Sequence, residues 1–432
     1  MHTYNVAVKA FERDYAIGSE VRPIDYIPEA SRATFQGIVR ANGRVATRNY
    51  IGVLTSVNCS ATVARYIADA FRGDALADFP NVDGVVALTH GTGCGMAGHG
   101  LGFDLLQATL NGYRNHANFG AVLMVGLGCE VNQVASLMDR YDWQSGPDFH
   151  AMTIQDTGGS TATVRAGVAR IRDMLPEVDK VTRTTVPASH LVLGLQCGGS
   201  DAYSGITANP ALGAAVDLLV RHGGTATLAE TPEVYGAEHL LTQRAVSREV
   251  GEKLIEHIRW WEDYTARNGA EMNNNPSPGN KAGGLTTILE KSLGAVAKGG
   301  TLNMEAVYQY ADPIRARGFT FMNTPGYDVT SVTGLVAGGA NIVCFTTGRG
   351  SVFGCKPVPS IKLATNSAMY RRMADDMDVN CGVIVDGSAS VQEVGERIFA
   401  KILDVASGGA SKSEALGFGD EEFVPWHIGA VM

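Results

Sequence analysis

The chain has 432 residues, which at about 150 residues per domain predicts two or three domains. Hydrophobic residues make up 45% of it and charged residues 18%, so a large core is expected and intrinsic disorder is not. The formal net charge of −9 argues against nucleic acid as the main partner, although a local basic pocket can still bind a small anionic substrate.

Residues 1–33 are polar, interrupted by prolines and without periodic pattern, so we expect a linker here. The segment 1–10 lacks a long apolar region followed by small residues, and no run of about 18 apolar residues occurs, so neither an export signal nor a membrane-spanning helix is expected. The expected lack of an export signal and the odd number of cysteines, seven, together predict that the protein is cytoplasmic. In that compartment cysteines serve metal binding, catalysis or the core rather than disulfides.

Residues 34–184 predict a first α/β domain. Short apolar segments predict buried strands at 50–57, 84–89, 121–125 and 151–154. Amphipathic segments between and after them predict helices at 61–71, 101–113, 131–138 and 161–174. Apolar strands that alternate with helices are typical of a parallel sheet covered on both faces.

Residues 185–432 predict a second α/β domain, which follows a polar connection at 179–189. Strands are expected at 191–195, 225–228, 320–322, 341–345, 361–364 and 382–385. A long helix is expected at 241–266 and a loop at 273–280. The predicted fold class is therefore α/β, with two Rossmann-like units whose mostly parallel sheets are covered by helices.

Polar residues that follow the predicted strands are candidate site residues, because ligands of open α/β sheets bind beyond the carboxyl ends of the strands. Four of these turns contain a cysteine, and one of them also contains a histidine: Cys59, His90 with Cys94, Cys129, and Cys197. Sulfur and imidazole ligands suit iron or zinc. Any one cysteine is readily explained as core filling, but the shared position at strand ends favours a common metal site.

A competing pattern is G-x-G-x-x-G at 93–98, between a predicted strand and a predicted helix. This is the fingerprint of a dinucleotide-binding turn, which also needs an acidic residue about 20 residues further along. The next acidic residue at a strand end is Glu130, which lies well beyond that spacing. An NAD-dependent oxidoreductase is therefore the less favoured alternative.

Charged and hydroxyl side chains near other turns predict an anion pocket, because guanidinium groups and turn N–H groups bind carboxylates. The candidate substrate-binding residues are Arg44, Arg48, Ser200, Asp201, Lys281 and Arg349. Glu230 and His90 each lie at the end of a predicted strand, so they are the candidate catalytic acid–base residues.

Several local motifs resemble the altronate/galactarate dehydratase family. They are GRVATRNY at 43–50, SVNCS at 56–60, THGTGCG at 89–95, GLGCE at 126–130, GLQCGGSD at 194–201 and ETPE at 230–233, with NKAGG at 280–284, KSLG at 291–294 and FTTGRG at 345–350. The resemblance extends over nearly the whole chain after about residue 33.

This resemblance implies a metal-dependent hydro-lyase that converts a sugar acid such as altronate or galactarate to a 2-keto-3-deoxy acid. It implies iron, as Fe²⁺ or an iron–sulfur cluster, or another divalent metal, held by some of the four cysteines and His90. It also implies a Rossmann-like fold with a section for dimerisation, so a homodimer is expected. A related branch removes sulfite from sulfolactate with separate small and large subunits, which is the alternative activity.

Single-chain members of the family carry an N-terminal SAF (β-clip) domain, which we do not expect in this chain. Residues 1–6 resemble the end of such a domain. Either that domain is a separate small subunit, which would then be a partner, or the sequence is a shortened form of a longer protein. A chain that is inactive without a SAF-domain partner is a third hypothesis.

Overall fold

The computed structural model describes residues 15–428. Residues 1–14, which include the expected end of a SAF domain, therefore lie outside the described part of the chain. Between residues 15 and 33, the regular structure is a single 3-10 turn at Glu29–Ser31. Within 15–428, none of the helices combines the length and the apolar character that crossing a membrane requires.

The first part of the chain forms a four-stranded sheet and a small antiparallel sheet. Its strands are β1 (Thr34–Val39), β2 (Val45–Ala46), β3 (Tyr50–Thr55), β4 (Gly84–Leu88), β5 (Phe119–Gly126), β6 (Phe149–Thr153) and β7 (Arg183–Pro187). Its helices are α1 (Ala61–Asp69), α2 (Leu101–Arg114), α3 (Val134–Tyr141), α4 (Ile154–Thr157) and α5 (Ser160–Val178).

The four-stranded sheet has the order β4-β3-β5-β6, and all its strand pairs are parallel. The residues of β3 are buried throughout, because the central strand of a parallel sheet is covered on both faces. The loops that follow β4, β3 and β5 all leave the sheet at the same edge.

The second part forms a seven-stranded sheet. Its strands are β8 (Val192–Cys197), β9 (Thr225–Leu228), β10 (Met304–Tyr308), β11 (Gly318–Met322), β12 (Ile342–Thr347), β13 (Ser360–Ala364) and β14 (Val379–Asn380). Its helices are α6 (Ala208–Arg221), α7 (His239–Thr242), α8 (Arg248–Arg267), α9 (Pro278–Ala282), α10 (Ile288–Val296), α11 (Asp328–Ala337), α12 (Ser367–Arg372), α13 (Val391–Ala406) and α14 (Lys412–Ala415).

This sheet is parallel throughout and has the order β10-β11-β9-β8-β12-β13-β14. The chain moves from β8 to β9 on one side, and β12 lies on the other side of β8. The order therefore reverses between β8 and β12, and ligands of doubly wound sheets bind at such a switch point. The predicted α/β class with parallel, helix-covered sheets is confirmed.

Some predicted elements differ from the structure for local reasons. The predicted strand at 382–385 is wrong: Gly382–Ile384 form a 3-10 turn, and a side chain on Gly382 would strike the backbone at Asn366 and Ser367. The predicted helix at 241–266 is two helices, because Ala245 forms a bridge to Met304 before α8 begins. The predicted loop at 273–280 contains the start of α9, which a Ser277–Asn280 capping box stabilises.

The antiparallel sheet of order β2-β1-β7 was not predicted. Its strand β7 spans the boundary placed between residues 184 and 185, within the segment expected to be a polar connection. The division into domains 34–184 and 185–432, after a linker at 1–33, stays a prediction.

One apolar cluster is shared by the two large sheets. It contains Tyr113 of α2 and Phe149 of β6, together with Trp261 of α8 and Phe345 of β12. Helices α2 and α11 approach so closely at Gly112 that any side chain there would strike the carbonyl group of Ala337. The two sheets are therefore joined by continuous buried packing.

Candidate active site

A charged, buried cluster lies at the carboxyl ends of β8 and β9. Cys197 is the last residue of β8, and Glu230 follows β9 by two residues. Glu230 has a left-handed backbone with φ of 66°, which a non-glycine residue adopts at a cost and which is frequent at functional sites. The next residues form a 3-10 turn at Thr231–Val234 that brings Glu233 back towards Cys197.

Two lysines complete this cluster. The ammonium nitrogen of Lys298 lies 2.8 Å from the Cys197 sulfur and 3.1 Å from Glu230 Oε2. The ammonium nitrogen of Lys291 lies 2.5 Å from Glu233 Oε1 and 2.9 Å from Asn275 Oδ1. We call Cys197, Glu230, Glu233, Lys291 and Lys298 the buried cluster.

The contacts among the acidic members link the two carboxylates through sulfur. The Cys197 sulfur lies 3.2 Å from Glu233 Oε2 and 3.5 Å from Glu230 Oε2. Gln196 Nε2 donates a hydrogen bond to Glu230 Oε1 over 2.5 Å. The side chains of Glu230 and Lys298 are completely inaccessible to solvent, so each charge depends on its neighbours for compensation.

Burial decides the protonation states here. Burial raises the pKa of Cys197 well above its ordinary value, and Glu230 and Glu233 raise it further, so the sulfur is a neutral thiol. Burial also opposes the charge of Glu233, but Lys291 and Lys298 hold the pKa of this carboxyl below its ordinary value. Burial and the neighbouring Glu233 raise the pKa of Glu230.

Cys197, Glu230 and Glu233 also form a potential metal-binding group. One ligand atom from each lies within 4.8 Å of the others, and all three residues are buried. A sulfur and two carboxylate oxygens suit a divalent ion such as iron or zinc, so the donor set fits a metal. Lys298 contacts the same sulfur and the same Glu230 carboxylate, so a bound ion would compete with its ammonium group.

A cavity of about 400 Å³ opens beside the buried cluster. Its lining includes Glu233, Lys291, Asn275, Asn280, Asp328 and Arg349, with the glycines at 198 and 199. Asp328 is the first residue of α11, just after β11. Burial, with smaller contributions from Glu230 and Glu233, raises the pKa of Asp328 to about 8.

Four of the predicted substrate-binding residues belong to the second part of the chain, and they differ in exposure and in contacts. Arg349 lines it, and Lys281 is exposed on α9 next to Asn280. Ser200 is buried, and its carbonyl oxygen accepts a hydrogen bond from Asn280 Nδ2. Asp201 accepts hydrogen bonds from Ser204, Thr365 and the backbone of Tyr203, so its carboxylate holds the loop after β8.

The two predicted arginines of the first unit lie elsewhere. Arg48 is buried and binds both carboxylate oxygens of Glu414, at 2.6 and 2.9 Å, and its remaining N–H groups donate to backbone carbonyls. Its donors are therefore used within the fold, and we leave Arg48 out of the proposed site. Arg44 is exposed in the turn between β1 and β2.

The five predicted metal ligands fall into two groups. Cys197 belongs to the buried cluster, whereas Cys59, His90, Cys94 and Cys129 follow strands of the other sheet. His90 Nε2 lies 3.0 Å from the Thr55 carbonyl oxygen, and its Nδ1 accepts from the Thr92 N–H. Both ring nitrogens are engaged, and burial lowers the pKa of His90 to about 4, so we leave His90 out of the site.

Sequence reasoning missed two residues that the structure brings to the site. Lys298 comes from the 3-10 turn Ala297–Gly299, far along the chain from both glutamates. A lysine within the small, apolar segment 294–300 is the signal that could have pointed to it, because such a lysine is buried only when paired. Asp328 follows the carboxyl end of β11, which is where ligands of open α/β sheets bind, so its position after a strand is the signal that could have pointed to it.

Family models match most of the chain. The model described as "D-galactarate dehydratase/Altronate hydrolase, second domain" matches residues 37–179, and "D-galactarate/Altronate dehydratase, C-terminal" matches 188–431. Galactarate dehydratase (L-threo-forming) of Escherichia coli is 42% identical over 88% of this chain and 74% of its own length. Altronate dehydratase of Bacillus subtilis is 36% identical over 87% of this chain and 74% of its own.

A further relative has another name. The (2R)-sulfolactate sulfo-lyase subunit beta of Chromohalobacter salexigens is 30% identical over 92% of this chain and 98% of its own length.

Proposed function

This chain belongs to the D-galactarate/altronate dehydratase family, and we propose that it removes water from a sugar acid such as galactarate or altronate to give a 2-keto-3-deoxy acid. It is a carbon–oxygen lyase, as its dehydratase relatives are. The observation that carries the proposal is the buried Cys197–Glu230–Glu233 group beside a cavity lined by cationic and proton-donating side chains.

The reaction sets three requirements. A base must take the proton from the carbon next to the carboxylate, the hydroxyl group on the following carbon must be protonated to leave as water, and the resulting enol becomes the keto acid. Negative charge builds up on the carboxylate as the proton leaves, so cationic groups must be fixed beside it. The leaving hydroxyl also needs a proton donor.

Arg349 and Lys291 are the cations that we assign to the substrate. Both line the cavity, and a guanidinium group binds a carboxylate through two parallel hydrogen bonds. Lys291 is held in place by Glu233 and Asn275. Asn275 and Asn280 supply neutral donors and acceptors for the hydroxyl groups of a sugar acid.

Asp328 is the proton donor that we assign to the leaving hydroxyl. Its raised pKa of about 8 keeps this carboxyl largely protonated at neutral pH, although an exposed aspartate would be ionised there. In the same cavity, the lysines keep Glu233 ionised. Two carboxyl groups in opposite protonation states are typical of sites that catalyse proton transfer.

We propose that Cys197, Glu230 and Glu233 hold a divalent metal ion, and that the ion is iron. A metal ion in such a place supplies Lewis-acid stabilisation of the charge that develops on substrate oxygens. Of the two residues that the sequence suggested for acid–base catalysis, we therefore assign Glu230 to the metal ion as a ligand.

Activity with a panel of sugar acids tests this proposal. The chain, purified without oxygen and supplied with ferrous iron and thiol, should convert at least one of galactarate, altronate and related acids to a 2-keto-3-deoxy product. A chelator should abolish turnover, and ferrous iron should restore it. Glu233→Gln should lower kcat at least about 100-fold. Glu249→Gln, at an exposed position on α8, is the matched control.

Sulfite elimination from sulfolactate is the second candidate activity. The relative with that name matches this chain over 98% of its own length, whereas the dehydratase relatives match over about three quarters of theirs. That relative is named a subunit, so a small SAF-domain partner belongs in the same assay. Sulfite release from sulfolactate, with no keto product from any sugar acid, would favour this second activity.

Sedimentation of the purified chain tests the expected homodimer.

A further inference from the structure

The loop between β11 and α11, residues 323–327, contacts both glutamates of the buried cluster. Gly326 packs against Glu233, because a side chain on Gly326 would come within 3.3 Å of the Glu233 Cγ atom. Thr324 is completely buried and forms a hydrogen bond with Glu230. The loop therefore borders the proposed metal-binding group, although none of its residues is a ligand there.

Thr324 accepts hydrogen bonds from Glu230 and from the next residue. The Glu230 N–H donates to Thr324 Oγ1 over 2.8 Å, and the Thr231 N–H donates to the Thr324 carbonyl oxygen over 3.0 Å. Thr231 Oγ1 also donates to Oδ1 of Asn323 over 2.7 Å. Glu230 and Thr231 are buried, so each N–H group requires an acceptor within the protein, and Thr324 supplies both acceptors.

Glu230 depends on such contacts because its backbone is left-handed, with φ of 66° and ψ of 65°. A non-glycine residue keeps this conformation only where its surroundings fix it. The conformation turns the chain after β9, and the Glu233 N–H then donates to the Glu230 carbonyl oxygen over 2.8 Å. This turn brings the carboxylates of Glu230 and Glu233 to 3.5 and 3.2 Å from the Cys197 sulfur. Loss of the Thr324 hydroxyl would weaken the turn that places the two carboxylates.

The Thr324 hydroxyl is itself fixed by two further contacts. Its oxygen lies 2.8 Å from the Ser331 hydroxyl of α11 and 3.1 Å from the Pro325 carbonyl oxygen. A carbonyl oxygen only accepts, so the Thr324 hydrogen points to Pro325 when Ser331 donates, and a lone pair of Oγ1 remains for the Glu230 N–H. Ser331 lies on the helix that begins with Asp328, so the same hydroxyl links Glu230 to the helix of the proposed proton donor.

We propose that Thr324 is a positioning residue for Glu230. Its hydroxyl holds the left-handed backbone of Glu230, so that the carboxylates of Glu230 and Glu233 meet at the Cys197 sulfur. This inference rests on the metal-binding group of the proposed function, and Thr324 acts through Glu230 rather than as a ligand. Removal of residues that orient metal ligands typically weakens metal binding about 10- to 100-fold.

Titration of the full chain with cobalt(II), a divalent ion that absorbs light when a thiolate binds it, tests this role without turnover. The unsubstituted chain should show the cobalt–sulfur absorbance, and Cys197→Ser should lack it. Thr324→Val keeps the shape of the side chain but removes the acceptor, so its dissociation constant for cobalt should be about 10- to 100-fold higher. Thr324→Ser restores the hydroxyl and should bind cobalt nearly as tightly as the unsubstituted chain.

Thr333→Val is the matched control for a loss of stability. The buried Thr333 hydroxyl also lies on α11, and it forms hydrogen bonds with the backbone of Val329, Glu422 and Val424. This variant should be less stable towards urea and should keep its cobalt affinity. Ser331→Ala leaves Thr324 in place and removes one partner of its hydroxyl, so its cobalt affinity should be intermediate. Ser331→Ala decides the matter if Thr324→Val does not fold, because an unchanged affinity would then overturn the proposal.

Equal cobalt affinities for Thr324→Val and the unsubstituted chain would overturn the proposal. Equal weakening in Thr324→Ser or in Thr333→Val would also overturn it, because the hydroxyl of Thr324 would not be the cause. If the unsubstituted chain lacked the cobalt–sulfur absorbance, the metal assignment would fail and this role with it. Cobalt binding in the expected order, by a chain that forms no keto product from any sugar acid, would uphold the role of Thr324 and overturn the dehydratase activity.

Discussion

The ammonium group of Lys298 lies 2.8 Å from the thiol sulfur of Cys197 and 3.1 Å from the carboxylate of Glu230, with no access to solvent. The thiol is neutral, so the charge of Lys298 is balanced chiefly by the two buried carboxylates. In a low-dielectric interior, a charge without its partner is far more costly than the pair.

Removal of the Lys298 charge should therefore destabilise the fold. Lys298→Met keeps the length of the side chain and leaves the Glu230 carboxylate without its cation. We expect a loss of about 3–5 kcal/mol in the free energy of unfolding, measured by urea denaturation. Lys180→Met removes a surface partner of Glu177 and should change stability by less than about 0.5 kcal/mol. Equal stabilities for the two variants would contradict this account of the cluster.

The Asp328 carboxyl predicts how activity depends on pH. A donor with a pKa of about 8 is protonated below that pH, so kcat should fall as the pH rises through about 8. Asp328→Asn should lower kcat about 100-fold and remove this alkaline decline, as measured by initial rates between about pH 6 and 9.5. The exposed Asp263→Asn should keep the profile of the unsubstituted chain. A decline that persists unchanged in Asp328→Asn would assign it to another group.

Arg349 should govern the binding of the substrate carboxylate. Hydrogen bonds to charged groups contribute about 1.5–3 kcal/mol, so Arg349→Met should raise KM about 10- to 100-fold. Arg349→Lys keeps the charge but loses the paired geometry, so its KM should be intermediate. The exposed Arg315→Met is the control. A fall in kcat at constant KM would instead indicate a contact made only in the transition state.

Acid should destabilise the fold through His116. This buried ring accepts a hydrogen bond from the Asn118 N–H and faces the Ala340 carbonyl oxygen with its other nitrogen, which fixes the neutral form. Burial lowers the pKa of His116 to about 4, from an ordinary value of 6.5. Between these values the unfolded chain binds a proton that the native chain does not, so stability falls as the pH falls, by up to about 1.4 kcal/mol per pH unit.

Denaturant titrations between about pH 4 and 6.5 measure this slope. His116→Gln should be less stable at neutral pH and should show a shallower dependence on pH, because the titrating ring is absent. His99→Gln, at an exposed position, should reproduce the slope of the unsubstituted chain. Parallel curves for His116→Gln and the unsubstituted chain would contradict the prediction.

Much of the fold could be predicted because local apolar segments carry the signal. The strand at 225–228 was predicted with the bounds that β9 has, since four buried residues lie between a glycine pair and a turn. The pairing of β1 with β7 joins segments about 150 residues apart, which periodicity does not encode, and β2 is a strand of only two residues that pairs with β1. Residues 241–266 read as one helix because the bridge from Ala245 to Met304 is likewise non-local.

The candidate site, too, could be predicted only where a residue's local position in the chain carries a signal. Cys197 and Glu230 follow from the rule that ligands bind beyond the carboxyl ends of strands, and the structure brings these two together. The rule does not state which strand ends share an edge: Cys59, Cys94 and Cys129 follow strands of one sheet and Cys197 ends a strand of the other, so a single metal site with all four thiols stays a prediction. Lys298 enters from a turn more than 60 residues beyond either glutamate, and only the folded topology brings it there.

The apolar cluster that α2, α8 and β12 share has a consequence for how the protein unfolds. If the first or the second part of the chain were expressed alone, the apolar surface that it now buries in this cluster would be exposed to water. That surface includes Tyr113 in the first part and Trp261 in the second. The halves should accordingly melt as one cooperative unit, with a single calorimetric endotherm. A hinge motion between the two parts would break this shared packing, so the two parts are expected to move together.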